Sequence, residues 1–214
     1  MAAPVTSVAY ITTKPGIDLE GTGTAAQAWK EALATLPQQN GFQSRRWGRT
    51  MENVNLVMLF VGWDSHESHL KFIASPGYAA FKSSLAANVM DGVHFHHVTF
   101  QPLLTKIIDK APVVEFATFF DTTDDLQVNV PKFFEAAGTP EGYHGCAWGP
   151  SIQTDVGTHA DGSLKGKAVV LLIGWDSKEA HLKFMETETF SKNIGLLREG
   201  MKGAEVFHVV FKAA

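Results

Sequence analysis

The sequence predicts an α+β protein built by internal duplication, two copies of one β-α-β-β-α-β unit. Two observations carry this. GWDSHESHLKF at residues 62–72 recurs as GWDSKEAHLKF at 174–184, identical at 9 of 11 positions, and a fixed-period repeat is the signature of a duplicated unit. The likeness also extends outward: LVMLFV and AVVLLI precede the two copies, HHVTF (96–100) answers FHVVF (207–211), and Trp47-Gly48 answers Trp148-Gly149. The repeats fall at residues 1–105 and 111–214, the second carrying an extra polar stretch, SIQTDVGTHADGSLKG, where the first has RTMEN.

The β-formers of 5–12 and 113–121 predict a first strand in each half, and TAAQAWKEALATL and DDLQVNVPKFFEAA a first helix. A second strand carries the Trp-Gly pair. Residues 56–63 and 168–175 are almost unbroken apolar runs, as in central strands covered on both faces. Asp-Ser-x-Glu follows each run, and its spacing predicts a capping box with Asp64 and Asp176 as N-caps and Glu67 and Glu179 reaching back. These carboxylates are therefore read as structural. The second helix follows, interrupted at Ser75-Pro76-Gly77 in the first half, and Gly92 and Gly203 lead into a last strand. Such a unit has both helices on one face of its sheet and leaves the other face apolar. The other copy is the simplest cover, so the expectation is a fused, pseudo-dimeric α+β barrel.

Composition excludes several classes. With 18 basic against 22 acidic residues and no basic run, the chain has no electrostatic footprint for nucleic acid or anionic membrane. No stretch has the roughly 18 apolar residues of a membrane span, and MAAPVTSVAYITT lacks the basic and apolar regions of a leader, so a cytoplasmic location is expected. One cysteine, Cys146, excludes an intramolecular disulfide and any multi-cysteine metal site. Alternation puts His144 on its face.

His97 and His208 occupy equivalent places on the two last strands, where burial would keep an imidazole neutral and fit for acid–base work. His69 and His181 also repeat, three residues before Phe72 and Phe184 and on the same helical face. Each has a structural reading beside the functional one, a hydrogen-bonded core histidine kept by duplication. His94 and His96 share a strand face but show no third metal ligand, so no metal is expected. Tyr10, Arg45, Arg46, Trp47 and Tyr78 belong to the first half or differ in the second. A duplicated scaffold needs its structural residues twice and a single pocket needs its chemistry once, so these divergent residues are site candidates.

The motif Gly-Trp-Asp-Ser-x-Glu-x-His-x-x-Phe in both halves, Ser75-Pro76-Gly77-Tyr78-x-x-Phe81 and the closing His-Val-x-Phe strands carry a resemblance. The chain resembles the dimeric α+β barrel superfamily, ferredoxin-like in each half, specifically its stress-responsive A/B barrel and antibiotic-biosynthesis-monooxygenase-like members, with the two subunits fused. That resemblance implies a family of cyclases, cofactor-free monooxygenases, lyases, haem enzymes and proteins without known activity. The pattern of its plant polyketide cyclase puts Phe72 at a catalytic tyrosine and Tyr78 at a catalytic histidine, with Phe184 and Phe190 in the second half, so both positions depart from that enzyme.

Three functional readings follow. The first is a cofactor-independent tailoring enzyme of secondary metabolism, of cyclase, lyase or monooxygenase type, acting on a small apolar or aromatic molecule. His97, His208 and Tyr78 would move protons there, and Tyr10, Arg46, Trp47, His69, Phe72, Phe81, His181 and Phe184 would bind substrate. The second is a non-catalytic stress-responsive or interaction protein with a packed barrel, and the third a haem-binding barrel. A monomeric pseudo-dimer and a homodimer both fit.

Overall fold

Unit 1 comprises residues 1–97 and 212–214 and unit 2 residues 98–211 in the computed structural model, which describes residues 3–102 and 104–213. Unit 1 runs β1 (Val5–Thr13), α1 (Thr24–Thr35), a 3₁₀ turn (Leu36–Gln38), β2 (Phe42–Arg49), β3 (Leu56–Trp63), α2 (His66–Ile73), α3 (Pro76–Asn88) and β4 (Met90–Val98), which passes into unit 2 at its last residue. Unit 2 continues with α4 (Thr105–Ile108), β5 (Val113–Phe120), α5 (Asp124–Ala137), β6 (Tyr143–Pro150), β7 (Ala168–Trp175), α6 (Lys178–Met185), α7 (Glu188–Asn193), α8 (Gly195–Arg198) and β8 (Gly203–Val209). A short β9 (Lys212–Ala213) then adds to the edge of the first sheet beside β2.

The strand orders are β4-β1-β3-β2-β9 and β6-β7-β5-β8, the same ferredoxin-like order with one added edge strand. The duplicated α+β architecture is as the sequence indicates. Hydrogen bonding, however, makes two separate sheets among the described residues and no continuous ring. The apolar runs are the central strands: all eight positions of β7, and of its neighbour β5, are buried.

In each unit the helices pack on one sheet face. Alternation sends Val57, Leu59, Val61 and Trp63 of β3 into a core with Trp29, Leu33 and Phe72. Leu171, Ile173 and Trp175 of β7 meet Leu126, Phe133 and Phe184 in the same way. The two copies part after the repeated motif. Pro76 opens a regular 13-residue α3 in unit 1, whereas unit 2 breaks the equivalent stretch into α7 and α8.

One local expectation is corrected. The N-caps are Ser65 and Ser177, whose Oγ atoms accept from the backbone N–H of Ser68 and Ala180, both at 3.2 Å. Asp64 accepts instead from the Ser65 and Ser68 hydroxyls, at 3.1 and 2.6 Å, and Glu67 pairs with Lys71 at 2.9 Å. The helix starts one residue later than the acidic spacing suggests because the serine hydroxyl reaches the N3 amide from an extended backbone. Ser65→Ala is expected to cost about 1 kcal/mol, with Glu67→Ala costing clearly less, as read from urea unfolding midpoints.

Candidate functional site

The repeated motif places a tryptophan, a serine cap and a histidine in fixed relation. β3 ends in Trp63, Ser65 starts α2, and one turn later His69 lies flat against the indole, with ring centroids 4.7 Å apart and planes at 13°. The indole N–H donates to Ser7 Oγ at 3.3 Å, and that hydroxyl donates to the Val61 carbonyl at 3.4 Å. On β4, alternation turns His97 toward α2, and its Nε2 lies 2.7 Å from His69 Nδ1. The edge of His66 meets the His97 ring at 4.3 Å, and the buried His66 Nε2 has no hydrogen-bond partner. Burial, with the neighbouring His97 and His66, holds His69 down to about 3, so it is neutral at physiological pH.

Beside this cluster, between sheet and helices, lies a cavity of about 70 Å³. Its walls are mostly apolar, from Ile11, Leu59, Phe72, Phe81 and Leu85, and its polar groups are Ser7, His69, Tyr78 and, from an exposed position, Lys82. Phe72 links the pieces: Tyr78 meets it edge-on at 5.3 Å and Phe81 at 5.6 Å. Burial raises the Tyr78 hydroxyl above its ordinary range, so it too stays protonated. The cavity therefore presents the neutral His69 and Tyr78 side chains, with the Ser7 hydroxyl, on mostly apolar walls.

Four sequence candidates, His69, Phe72, Tyr78 and Phe81, line this one cavity, and His97 stands behind His69. Others lie elsewhere in unit 1. Tyr10 is on the opposite sheet face, stacked on His94 at 4.4 Å, and Arg46, whose Nη1 donates to the Arg45 carbonyl at 2.7 Å, alternates to that face as well. Trp47 packs edge-on against Trp29 at 5.3 Å, under the Lys212 ammonium.

His181, Phe184 and His208 form the matching arrangement in unit 2. His181 stacks on Trp175 with centroids at 5.4 Å, its Nδ1 is 2.8 Å from His208 Nε2, and Phe184 packs on Trp175 at 5.6 Å. The shared face that alternation would give His144 and Cys146 is lost, because the β6–β7 register shifts between Tyr143 and Gly145. His144 bonds Asp176 at 2.6 Å, and burial pushes the Cys146 thiol up, away from thiolate.

Sequence reasoning missed Ser7, His66, Lys82 and Glu115. Glu115 had a readable signal, a lone acid inside the apolar run VVEFATFF. Among the described residues no group of three His, Cys, Asp or Glu side chains is arranged to hold a metal ion. A haem does not fit at this cavity: His69 and His97 spend their facing nitrogens on each other, and about 70 Å³ is far below the volume of a porphyrin.

Residues 4–84 match the model of the antibiotic biosynthesis monooxygenase family. No curated protein matches the chain. Among solved structures, an anthrone oxidase-like protein superposes with a TM-score of 0.68 at 15% identity, over 99% of this chain and 93% of its own. A monooxygenase candidate from Lactobacillus acidophilus NCFM gives 0.59 at 12% identity, over 98% and 94%. A chlorite dismutase candidate gives 0.64 at 11% identity, over 98% and 95%. At such identities the likeness is one of fold, and it runs through both units. The match to the antibiotic biosynthesis monooxygenase model thus lies within unit 1, and the fold of the whole chain is that of these solved structures.

Proposed function

We propose that unit 1 binds a small, largely apolar aromatic metabolite between its sheet and α2/α3 and modifies it as a cofactor-free enzyme of the monooxygenase type. The observation that carries this is the convergence of His69 and Tyr78, both neutral and polar, on one aromatic-walled cavity. Oxygen chemistry without a cofactor draws its electrons from the substrate, so the substrate is one whose carbanion is stabilised by a neighbouring oxygen, such as a phenol or an enolisable aryl ketone. Its proton is given up to solvent on the way in, so the oxygen enters the site carrying negative charge. With His97 donating from Nε2 to His69 Nδ1, the Nε2–H of His69 and the Tyr78 hydroxyl are donors for it, and donors preset in an apolar site are worth far more than in water. His97 acts through His69 by fixing its tautomer. Cyclase and lyase reactions use the same proton chemistry. The names of the family and of the anthrone oxidase-like neighbour favour oxygenation.

One observation supports a non-catalytic reading: about 70 Å³ is smaller than the roughly 300 Å³ of ordinary ligand sites. Oxygen consumption with anthrones and simple phenols, together with quenching of tryptophan fluorescence, separates the two. Catalysis predicts turnover that falls about 10²-fold in Tyr78→Phe and in His69→Gln. No uptake and no quenching with any of these compounds would favour the packed, non-catalytic protein.

The neutral state of His69 is testable apart from turnover. Its value near 3 lies below the 6.5 of an exposed histidine, so the unfolded chain binds the proton more readily and acid destabilises the native state. Stability conferred by His69 is expected to be present above pH 6.5 and to decline by at most about 1.4 kcal/mol per pH unit below it. His69→Gln should flatten that decline in urea titrations.

A further inference from the structure

The two units differ at one buried position that the fold itself does not explain. Ser7 on β1 pairs with Val61, and Glu115 on β5 pairs with Ile173, each two residues before the tryptophan that ends the neighbouring strand. Both side chains accept the indole N–H: Trp63 donates to Ser7 at 3.3 Å and Trp175 to Glu115 Oε2 at 3.0 Å. A hydroxyl therefore satisfies this junction, and unit 1 is the internal control that shows it. Unit 2 instead buries a carboxyl, with Glu115 only 8% exposed, and an ionisable group taken out of water is costly unless it is compensated.

The compensation is visible. Glu115 Oε2 lies 3.3 Å from His181 Nε2, and His181 Nδ1 lies 2.8 Å from His208 Nε2. Carboxyl, imidazole and imidazole thus form one unbroken line, all three residues at most 8% exposed. We infer that Glu115, His181 and His208 form a buried proton-binding site, present in unit 2 and lacking its carboxyl in unit 1, in which one exchangeable proton is shared along the line.

The surroundings support a proton as the occupant. From β7 the carboxyl meets the Trp175 N–H, from α6 it meets His181, and β8 places His208 opposite it in register. The first turn of α6 adds Lys178 and Glu179, and Glu179 is held low mainly by backbone and Ser177 hydrogen bonds, with His208 contributing. Burial raises Glu115 to about 7 against the opposing Trp175 bond. An acid beside a neutral imidazole and a carboxylate beside an imidazolium are two forms of one occupied site, and the pair titrates as a unit. Emptying it leaves a buried anion beside an uncharged ring.

The sign is opposite to that of His69. A folded value near 7 against 4.5 for the free group means that the native state binds the proton more tightly, so this contribution is present in acid and disappears as pH rises through 7. The test is urea unfolding of the full chain and of its Glu115→Gln and Glu115→Ser variants between pH 5 and 8, the serine being what unit 1 carries. The expected result is that the wild-type folding constant falls relative to either variant by at most about tenfold per pH unit, about 40-fold from pH 5 to 7. Parallel curves would overturn the site. Should neither variant fold, histidine-ring NMR of the wild type decides: His181 and His208 titrating together near neutrality while His69 stays flat supports the inference. All three flat from pH 5 to 8 overturns it.

Discussion

The contact on which each unit's helix face depends is the hydrogen bond between two buried imidazoles, His69 to His97 at 2.7 Å and His181 to His208 at 2.8 Å. An unpaired buried ring nitrogen costs about 1–3 kcal/mol, so each histidine is tolerable inside only while the other faces it. That mutual requirement ties the first turn after the serine cap to the last strand of the same unit. It also fixes the tryptophan between them, because the histidine ring lies on the indole and the indole N–H needs an acceptor on the first strand. Second helix, third strand, first strand and fourth strand are thus held at one point, and the rest of the helix face is free to diverge.

Divergence has taken different forms in the two units. In unit 1 an uninterrupted α3 brings Tyr78, Phe81 and Leu85 over the sheet and leaves a cavity beside His69. In unit 2 the same stretch is broken, and Phe190, Ile194 and Leu197 pack onto the core around Trp175 and Phe184. The polar novelty there is Glu115 beneath the histidine pair. One unit keeps space and neutral donors, the other a buried titratable carboxyl.

Much of this was legible in the amino-acid order, and the reason is physical. The strand runs, the helix break before Pro76 and the four repeated histidines depend on local pattern and on self-similarity, both of which a single sequence displays. What stayed hidden depends on partners. That His69 faces His97 requires knowing that the second helix crosses the fourth strand, and periodicity within one element does not say so. The cap moved from Asp64 to Ser65 because backbone geometry decides between adjacent acceptors. Asymmetry between the halves groups Tyr10 and Arg46 with Tyr78, yet alternation along β1 and β2 turns them to the other sheet face. Glu115 was visible as an acid in an apolar strand, and its meaning emerges only beside Ser7, its counterpart in the other copy.

The counterpart of Glu115 in unit 1 separates what the fold needs from what it does not. A buried carboxyl costs several kcal/mol unless it is neutralised. The fold does not require that carboxyl, since unit 1 has Ser7 in its place. Random drift toward instability is removed once a chain falls below the stability it needs, and a costly group carried in one copy and absent from the other, beside the same pair of histidines, is where the two copies differ in chemistry. In unit 1 the pair stands beside a cavity lined by Phe72, Tyr78 and Phe81, and in unit 2 it stands over a buried carboxyl.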